Sequence, residues 1–309
     1  MAELPIFQNT LKNIISCTGV GLHSGAPVTM TLHPADPNTG IVFVLSHQGK
    51  IVEIPANWKH VIPSPLCTTL RHESGANVAT IEHLLAAFQG CGIDNVIVAL
   101  DGTEVPIMDG SAQPFVFLID CAGVQKQAAP RRYIKVLKPV FIQDGDKSAS
   151  ITPSDSFTVS CDIDFQSHAI GKQTFMLTVT DTSFRQATSR ARTFGFSEEV
   201  AQLREKGLVK GGSLKNAVVV EGDTILNKEG LRYHDEFVRH KVLDAIGDLS
   251  LAGLPLLGHF HGVRSGHYLN YKLLEALFAD KTAWREVNAS AANTVKSSVR
   301  EERLLQHVS

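Results

Sequence analysis

Strand-like and helix-like stretches fall in groups along this chain instead of alternating strictly, and that grouping limits the fold more than any other feature. Apolar/polar alternation at 28–33 and a compact apolar run at 41–44 read as strands. A helical run over 81–89 follows, opened by Thr80 as N-cap and stopped by Gly90-Cys-Gly92. Next come a strand at 95–100, the loop Pro106-Ile-Met-Asp-Gly-Ser-Ala-Gln-Pro114, and a helix at 115–121. The second half restarts with strands at 133–137, 140–143, 148–152, 157–164 and 175–179. Helices are then predicted at 197–206, 235–251 and 266–279, with strands at 217–220 and 257–261 between them. This is an α+β pattern, not a doubly wound one. Polar, Ala-rich 123–132, which contains Pro130, reads as a linker between an N-terminal domain at 1–125 and a C-terminal domain at 133–285. Residues 286–309 read as a loosely held tail.

Composition narrows the function classes. Hydrophobic residues make up 43 % of the 309 and charged residues 19 %, enough apolar material for cores and unlike a disordered chain. A formal net charge of −2 offers no bulk attraction to nucleic acid or acidic membranes, so an anionic ligand must be met by locally placed Lys and Arg. Cys17, Cys67, Cys91, Cys121 and Cys161 form no C-x-x-C pair, and their odd number points to a reducing compartment. No secretory signal is read at the N-terminus, and the apolar-rich stretch at 245–257 is too short and interrupted to span a bilayer. A cytoplasmic monomer without stable membrane insertion is expected.

Chemistry concentrates in a few segments. His240-Lys-Val-Leu-Asp244 sets an imidazole and a carboxylate four residues apart on one helix face, where both can reach one small cation. Asp248 continues that face by one turn and could orient a neighbouring imidazole. Alone, the pair reads as a solvent-exposed contact of a few tenths of a kcal/mol. In Thr80-Ile-Glu-His83, consecutive helical residues diverge by roughly 100°, so Glu82 and His83 cannot share a metal comfortably. His83 could ligate while Glu82 faces a bound water; alone, the segment is an ordinary acidic first turn with a surface histidine. Ser265-Gly-His267 places a histidine before a helix, as a proton donor or as loop polarity. Arg190-Ala-Arg-Thr-Phe-Gly-Phe196 offers the Thr193 hydroxyl and the Phe194 ring on an extended segment, or simply a core edge.

Taken in order, the segments say more. Thr18-Gly-Val-Gly-Leu-His-Ser-Gly25, Thr80-Ile-Glu-His83, Gly92-Ile-Asp-Asn95, Pro106-Ile-Met-Asp-Gly-Ser111, Ser189-Arg-Ala-Arg-Thr-Phe-Gly-Phe196, Phe237-Val-Arg-His-Lys-Val-Leu-Asp-Ala-Ile-Gly-Asp248 and Ser265-Gly-His267 together closely resemble the UDP-3-O-acyl-N-acetylglucosamine deacetylase family of lipid A biosynthesis in Gram-negative bacteria, over about 10–279. The resemblance implies two layered sheet-and-helix domains with the active site between them. It implies Zn2+ on His83, His240 and Asp244, Glu82 as general base, and His267 as general acid supported by Asp248. Thr193 would hydrogen-bond the oxyanion, with Phe194 and Lys241 beside the substrate. Lys147, Phe165 and Arg264 match the basic and aromatic patch for the UDP portion, and Cys67 matches a cysteine near the metal in some members.

Some positions depart from the family pattern. Ser197-Glu-Glu199 stands where Met-Arg-Asp is usual, Gln166-Ser-His168 replaces a His-Pro turn, Lys210 enters a loop beside an apolar acyl passage, and Tyr271 replaces a common Asn. Two other readings fit less of the pattern: a non-catalytic paralogue that binds the sugar nucleotide or an acyl lipid, and a zinc amidase for another N-acyl sugar.

Overall fold

The computed structural model describes residues 4–64 and 66–289. Six helices are seen there: α1 (Glu82–Gly90), α2 (Gln113–Ala122), α3 (Asp181–Ala187), α4 (Ser197–Glu205), α5 (Glu236–Ser250) and α6 (His267–Ala279). The N-terminal half builds a five-stranded sheet in the order Ile15–Val20, Pro27–Pro34, Val96–Leu100, Ile41–His47, Lys50–Pro55. In the C-terminal half, Leu256–Val263 lies at the centre of a seven-stranded sheet, antiparallel to Lys147–Pro153 and parallel to Phe157–Asp164 and Arg132–Val136. The architecture is α+β, as the grouping of segments predicts.

Helix α5 explains where chemistry can occur. Phe237, Val238, Val242, Leu243, Ala245, Ile246 and Leu249 are all buried, and only Arg239, Lys241 and Ser250 of the helix are not, so it belongs in the interior. It packs on α1, α6 and the strands Phe157–Asp164 and Lys172–Thr178. Yet it also carries Glu236, His240, Asp244 and Asp248, each buried. Buried ionisable groups must be paired or coordinated, so these four require partners from neighbouring elements. Glu236 accepts from the Arg192 side chain (2.9 Å) and from the Arg232 backbone N–H (2.6 Å), which anchors the start of the helix.

Close approach of α1 and α5 depends on one glycine. A Cβ on Gly247 would lie 2.0 Å from the Glu82 carbonyl oxygen, so no larger residue fits without moving the helices apart. One contiguous hydrophobic cluster then runs through both halves, from Leu11 to Ala283.

Several sequence expectations are corrected. The supposed linker contains the strand Val124–Pro130, antiparallel to Phe7–Leu11. It is held by a polar network that no hydrophobic period reveals: Asn95 Nδ2 donates to Gln8 Oε1 (2.9 Å) and Gln127 Oε1 (2.7 Å). Pro130 ends that strand, a position where its missing N–H costs little. The expected tail begins as the strand Trp284–Asn288, paired with Arg132–Val136, while 290–309 lie outside the described residues. Thr80 is not the N-cap of α1: it has φ 58°, and its hydroxyl donates to Glu104 Oε1 (2.9 Å). Helix α3 was not anticipated, although a Thr180/Ser183 capping box opens it.

Candidate active site

Glu104 shows how the glycine-rich segment supports the site. Its carboxylate accepts from His23 N (2.8 Å), Ser24 N (3.0 Å) and Ser24 Oγ (2.7 Å), besides the Thr80 hydroxyl. A Cβ on Gly21 would lie 2.3 Å from Glu104 Oε2, so a larger residue there would have to displace the carboxylate on which the loop closes. The entry to α1 is thereby tied to the 18–25 loop.

Helices α1 and α5 then bring His83, His240 and Asp244 into one buried cluster whose ligand atoms lie within 4.8 Å of one another. His240 Nδ1 is 3.0 Å from the Ala191 carbonyl, which can only accept, so the ring hydrogen sits on Nδ1. Burial drives the His240 pKa down to about 4, keeping the ring neutral. Its Nε2 is therefore a lone pair, and it faces Asp244 Oδ1 at 3.2 Å. Two acceptors face each other in a dry site. His83 Nε2 lies 3.5 Å from the same oxygen, and Asp244 Oδ1 is buried without a hydrogen-bond partner. A shared cation satisfies all three atoms: ligands about 2.0–2.1 Å from a tetrahedral ion stand roughly 3.4 Å apart. The donor set therefore fits a metal ion. Lys241 Nζ donates to Asp244 Oδ2 (2.8 Å). Burial disfavours the Asp244 carboxylate, but its neighbours, the Lys241 ammonium among them, outweigh it and hold its pKa well below the usual range.

Beside this cluster stand two groups suited to proton transfer. Burial raises the Glu82 pKa, offset in part by His267 and His83. Burial works against a charged His267, but the Asp248 carboxylate prevails and lifts its pKa to about 9. His267 Nδ1 donates to Asp248 Oδ2 (2.9 Å), and its Nε2 faces Glu82 Oε1 at 3.9 Å. A carboxylate and a cationic imidazole thus converge next to the metal-ligand cluster.

Thr193 follows from Ala191 on the same segment; its N–H donates to the Gly110 carbonyl (2.8 Å). A Cβ on Gly110 would lie 2.0 Å from the Asn216 carbonyl, which accounts for the glycine in the 106–111 loop. Thr193 and Phe194 line a cavity of about 400 Å³, with Leu203, Val219 and Leu226 among its apolar walls. The Phe194 ring lies edge-on to His240 at 6.3 Å. Lys147 and Arg264 line another cavity, of about 440 Å³, which His267 also borders. Arg264 is engaged by Asp146 and Asp164. Phe165 is not among that cavity's lining residues; it packs on Phe194 (5.7 Å) and Phe196 (5.9 Å). Cys67 is buried close to Glu82, and burial pushes its thiol pKa up to about 11.

Two contributors escaped sequence reasoning. Asn270 Nδ2 donates to Asp248 Oδ2 (2.8 Å), and Thr68 donates to both Glu82 and Asp248. Asn270 lies one helical turn after His267, a spacing that could have indicated it; Thr68 sits in a short segment with no periodic signal.

A buried His-His-Asp cluster, flanked by a carboxylate and a cationic imidazole, has the chemistry of a hydrolytic centre that could bind a metal ion. Comparison with known proteins makes the assignment specific. The family described as UDP-3-O-acyl N-acetylglycosamine deacetylase matches residues 8–279, and the chain belongs to it. A UDP-3-O-acyl-N-acetylglucosamine deacetylase of Myxococcus xanthus is 52 % identical over 91 % of this chain and 90 % of its own length. Proteins of the same description from Chromohalobacter salexigens and Histophilus somni are 51 % and 48 % identical, covering 91 % and 92 % of this chain and 93 % of each relative.

Proposed function

We propose that the chain removes the acetyl group from UDP-3-O-acyl-N-acetylglucosamine by zinc-dependent hydrolysis, releasing acetate and a free 2-amino sugar nucleotide in the cytoplasmic stage of lipid A biosynthesis. Family membership supports the reaction. The observation that carries the metal reading is the lone pair of His240 Nε2 facing the unpartnered Asp244 Oδ1 across 3.2 Å. His83, His240 and Asp244 would hold the ion, and three protein ligands are the usual complement of a catalytic zinc. When bound, zinc supplies a Lewis acid and lowers the pKa of coordinated water.

The remaining steps belong to the chain's own side chains. Glu82, buried and close to His267, takes the proton of the water that attacks the acetamide carbonyl. The Thr193 hydroxyl donates to the oxygen on which charge develops. His267, cationic because Asp248 accepts from its Nδ1, returns a proton from Nε2 to the departing amine. Lys241 secures Asp244 and lies beside the sugar. The fatty-acyl chain occupies the apolar cavity behind Phe194, and the diphosphate lies towards Lys147 and Arg264, with Phe165 near the nucleotide. Binding at these remote ends orients the amide for attack. The two-unit division is part of the same reading: 1–125 contributes Glu82 and His83, and 133–285 contributes His240, Asp244 and His267.

Glu82→Gln tests the base. The purified variant is expected to retain its metal and to lose about 100-fold or more in acetate release. Undiminished turnover would rule out Glu82 as the base.

A further inference from the structure

Thr68 makes a set of contacts that none of the roles above requires. It lies on the segment before the strand Thr69–Arg71, far in sequence from α5 and α6, and is only 4 % exposed. Its backbone N–H donates to Glu82 Oε2 (3.0 Å). Its hydroxyl donates to Asp248 Oδ1 (2.5 Å). The same hydroxyl oxygen lies 3.3 Å from His267 Nδ1. One residue thus touches the carboxylate beside the metal ligands, the carboxylate that supports His267, and His267 itself.

The directions of these hydrogen bonds define what each contact does. A carboxylate only accepts, so the single Thr68 hydroxyl hydrogen is spent on Asp248 Oδ1. Oδ2 is left to accept from His267 Nδ1 (2.9 Å) and Asn270 Nδ2 (2.8 Å). With both oxygens occupied by donors from three directions, the Asp248 carboxylate cannot rotate about its terminal torsion, and the His267 ring is fixed with it. On the other side, the Thr68 N–H takes Glu82 Oε2 and leaves Oε1 turned towards His267 Nε2 at 3.9 Å. The backbone of Thr68 therefore selects the oxygen that faces the reacting groups, while its side chain aims the imidazole opposite.

We propose that Thr68 is a positioning residue that couples the orientation of Glu82 to that of the Asp248–His267 pair, with Asn270 as the second fixed donor. The inference rests on the acid and base roles given under the proposed function. Such supporting hydrogen bonds are typically worth about 10- to 100-fold in activity.

The test uses the full-length, metal-loaded protein. Thr68→Val and Thr68→Ala both remove the hydroxyl and keep the N–H, and Thr68→Ser keeps both. The expected result is a kcat lower by about 10- to 100-fold in the Val and Ala variants, with KM and metal content within about twofold of the parent. Thr68→Ser should recover kcat to within a few-fold. Thr68→Val combined with Asp248→Asn should be little worse than Asp248→Asn alone, because the hydroxyl acts through that carboxylate. An unchanged kcat in both hydroxyl-free variants would overturn the proposal. So would a loss carried by KM or by metal content, a Ser variant as impaired as Val, or independent effects that multiply in the double variant. If the parent protein releases no acetate, the functional reading fails and the inference falls with it; an active parent alongside equally active variants refutes the inference alone.

Discussion

At the scale of single residues, burial and neighbouring charge shift two titratable groups beside the His-His-Asp cluster. His267 owes its pKa of about 9 to the Asp248 carboxylate, which overcomes the cost of burial. Glu82 is pushed above the usual carboxylate range by burial, and the cationic neighbour limits that rise. Activity is therefore expected to fall on the acid side as Glu82 protonates and on the alkaline side as His267 deprotonates near pH 9. Asp248→Asn removes the group that raises His267 while leaving it buried. The alkaline limb should then move to lower pH, read from kcat/KM against pH, and an unmoved limb would contradict the assignment. The sign for stability follows from the same shift. A histidine whose folded pKa stands above its unfolded value of about 6.5 stabilises the fold fully below that pH. That contribution is lost as pH rises through the folded value of about 9.

At the scale of elements, the α1–α5 crossing is the device that assembles the ligands. His83 and the His240/Asp244 pair meet because Gly247 lets the helices approach to backbone contact. Gly247→Ala adds a Cβ where only 2.0 Å is available and should cost about 1–3 kcal/mol of stability by overpacking. It should also lower metal affinity, by displacing His83 relative to α5; a variant with parental melting temperature and metal affinity would refute this account of the crossing. Much at this scale is legible in the sequence. The period of α5, its His240/Asp244 spacing and the Asp248 continuation all read directly, because helical geometry converts spacing into facing. The strand Val124–Pro130 does not read, since its order comes from pairing with Phe7–Leu11 and from the Gln8 and Asn95 side chains of distant segments, the latter donating to its own Gln127. Nor does the role of Thr68, whose contacts to Glu82 and Asp248 span 14 and 180 positions. Local pattern cannot encode such a meeting. The seven ordered blocks implied by resemblance which histidines and carboxylates share a site, but they include neither Thr68 nor 124–130, whose places only the structure gives.

At the scale of the whole molecule, the two halves share one hydrophobic cluster, and the metal-ligand cluster draws on both. His83 comes from the N-terminal half, and His240 and Asp244 come from the C-terminal half. A cation held there ties the halves together, so its binding stabilises the folded chain by mass action. An apolar cavity lined by Thr193 and Phe194 and a second one lined by Lys147, Arg264 and His267 each take residues from both halves. Among the described residues no helix is long and apolar enough to cross a membrane. The direct test of the central claim is acetate release from UDP-3-O-acyl-N-acetylglucosamine by chelator-stripped protein titrated with Zn2+. Turnover should be absent without metal and rise in proportion to added zinc up to about one equivalent per chain, as one three-ligand site requires. Full activity in the stripped protein, or equal restoration in Asp244→Ala, would contradict the account.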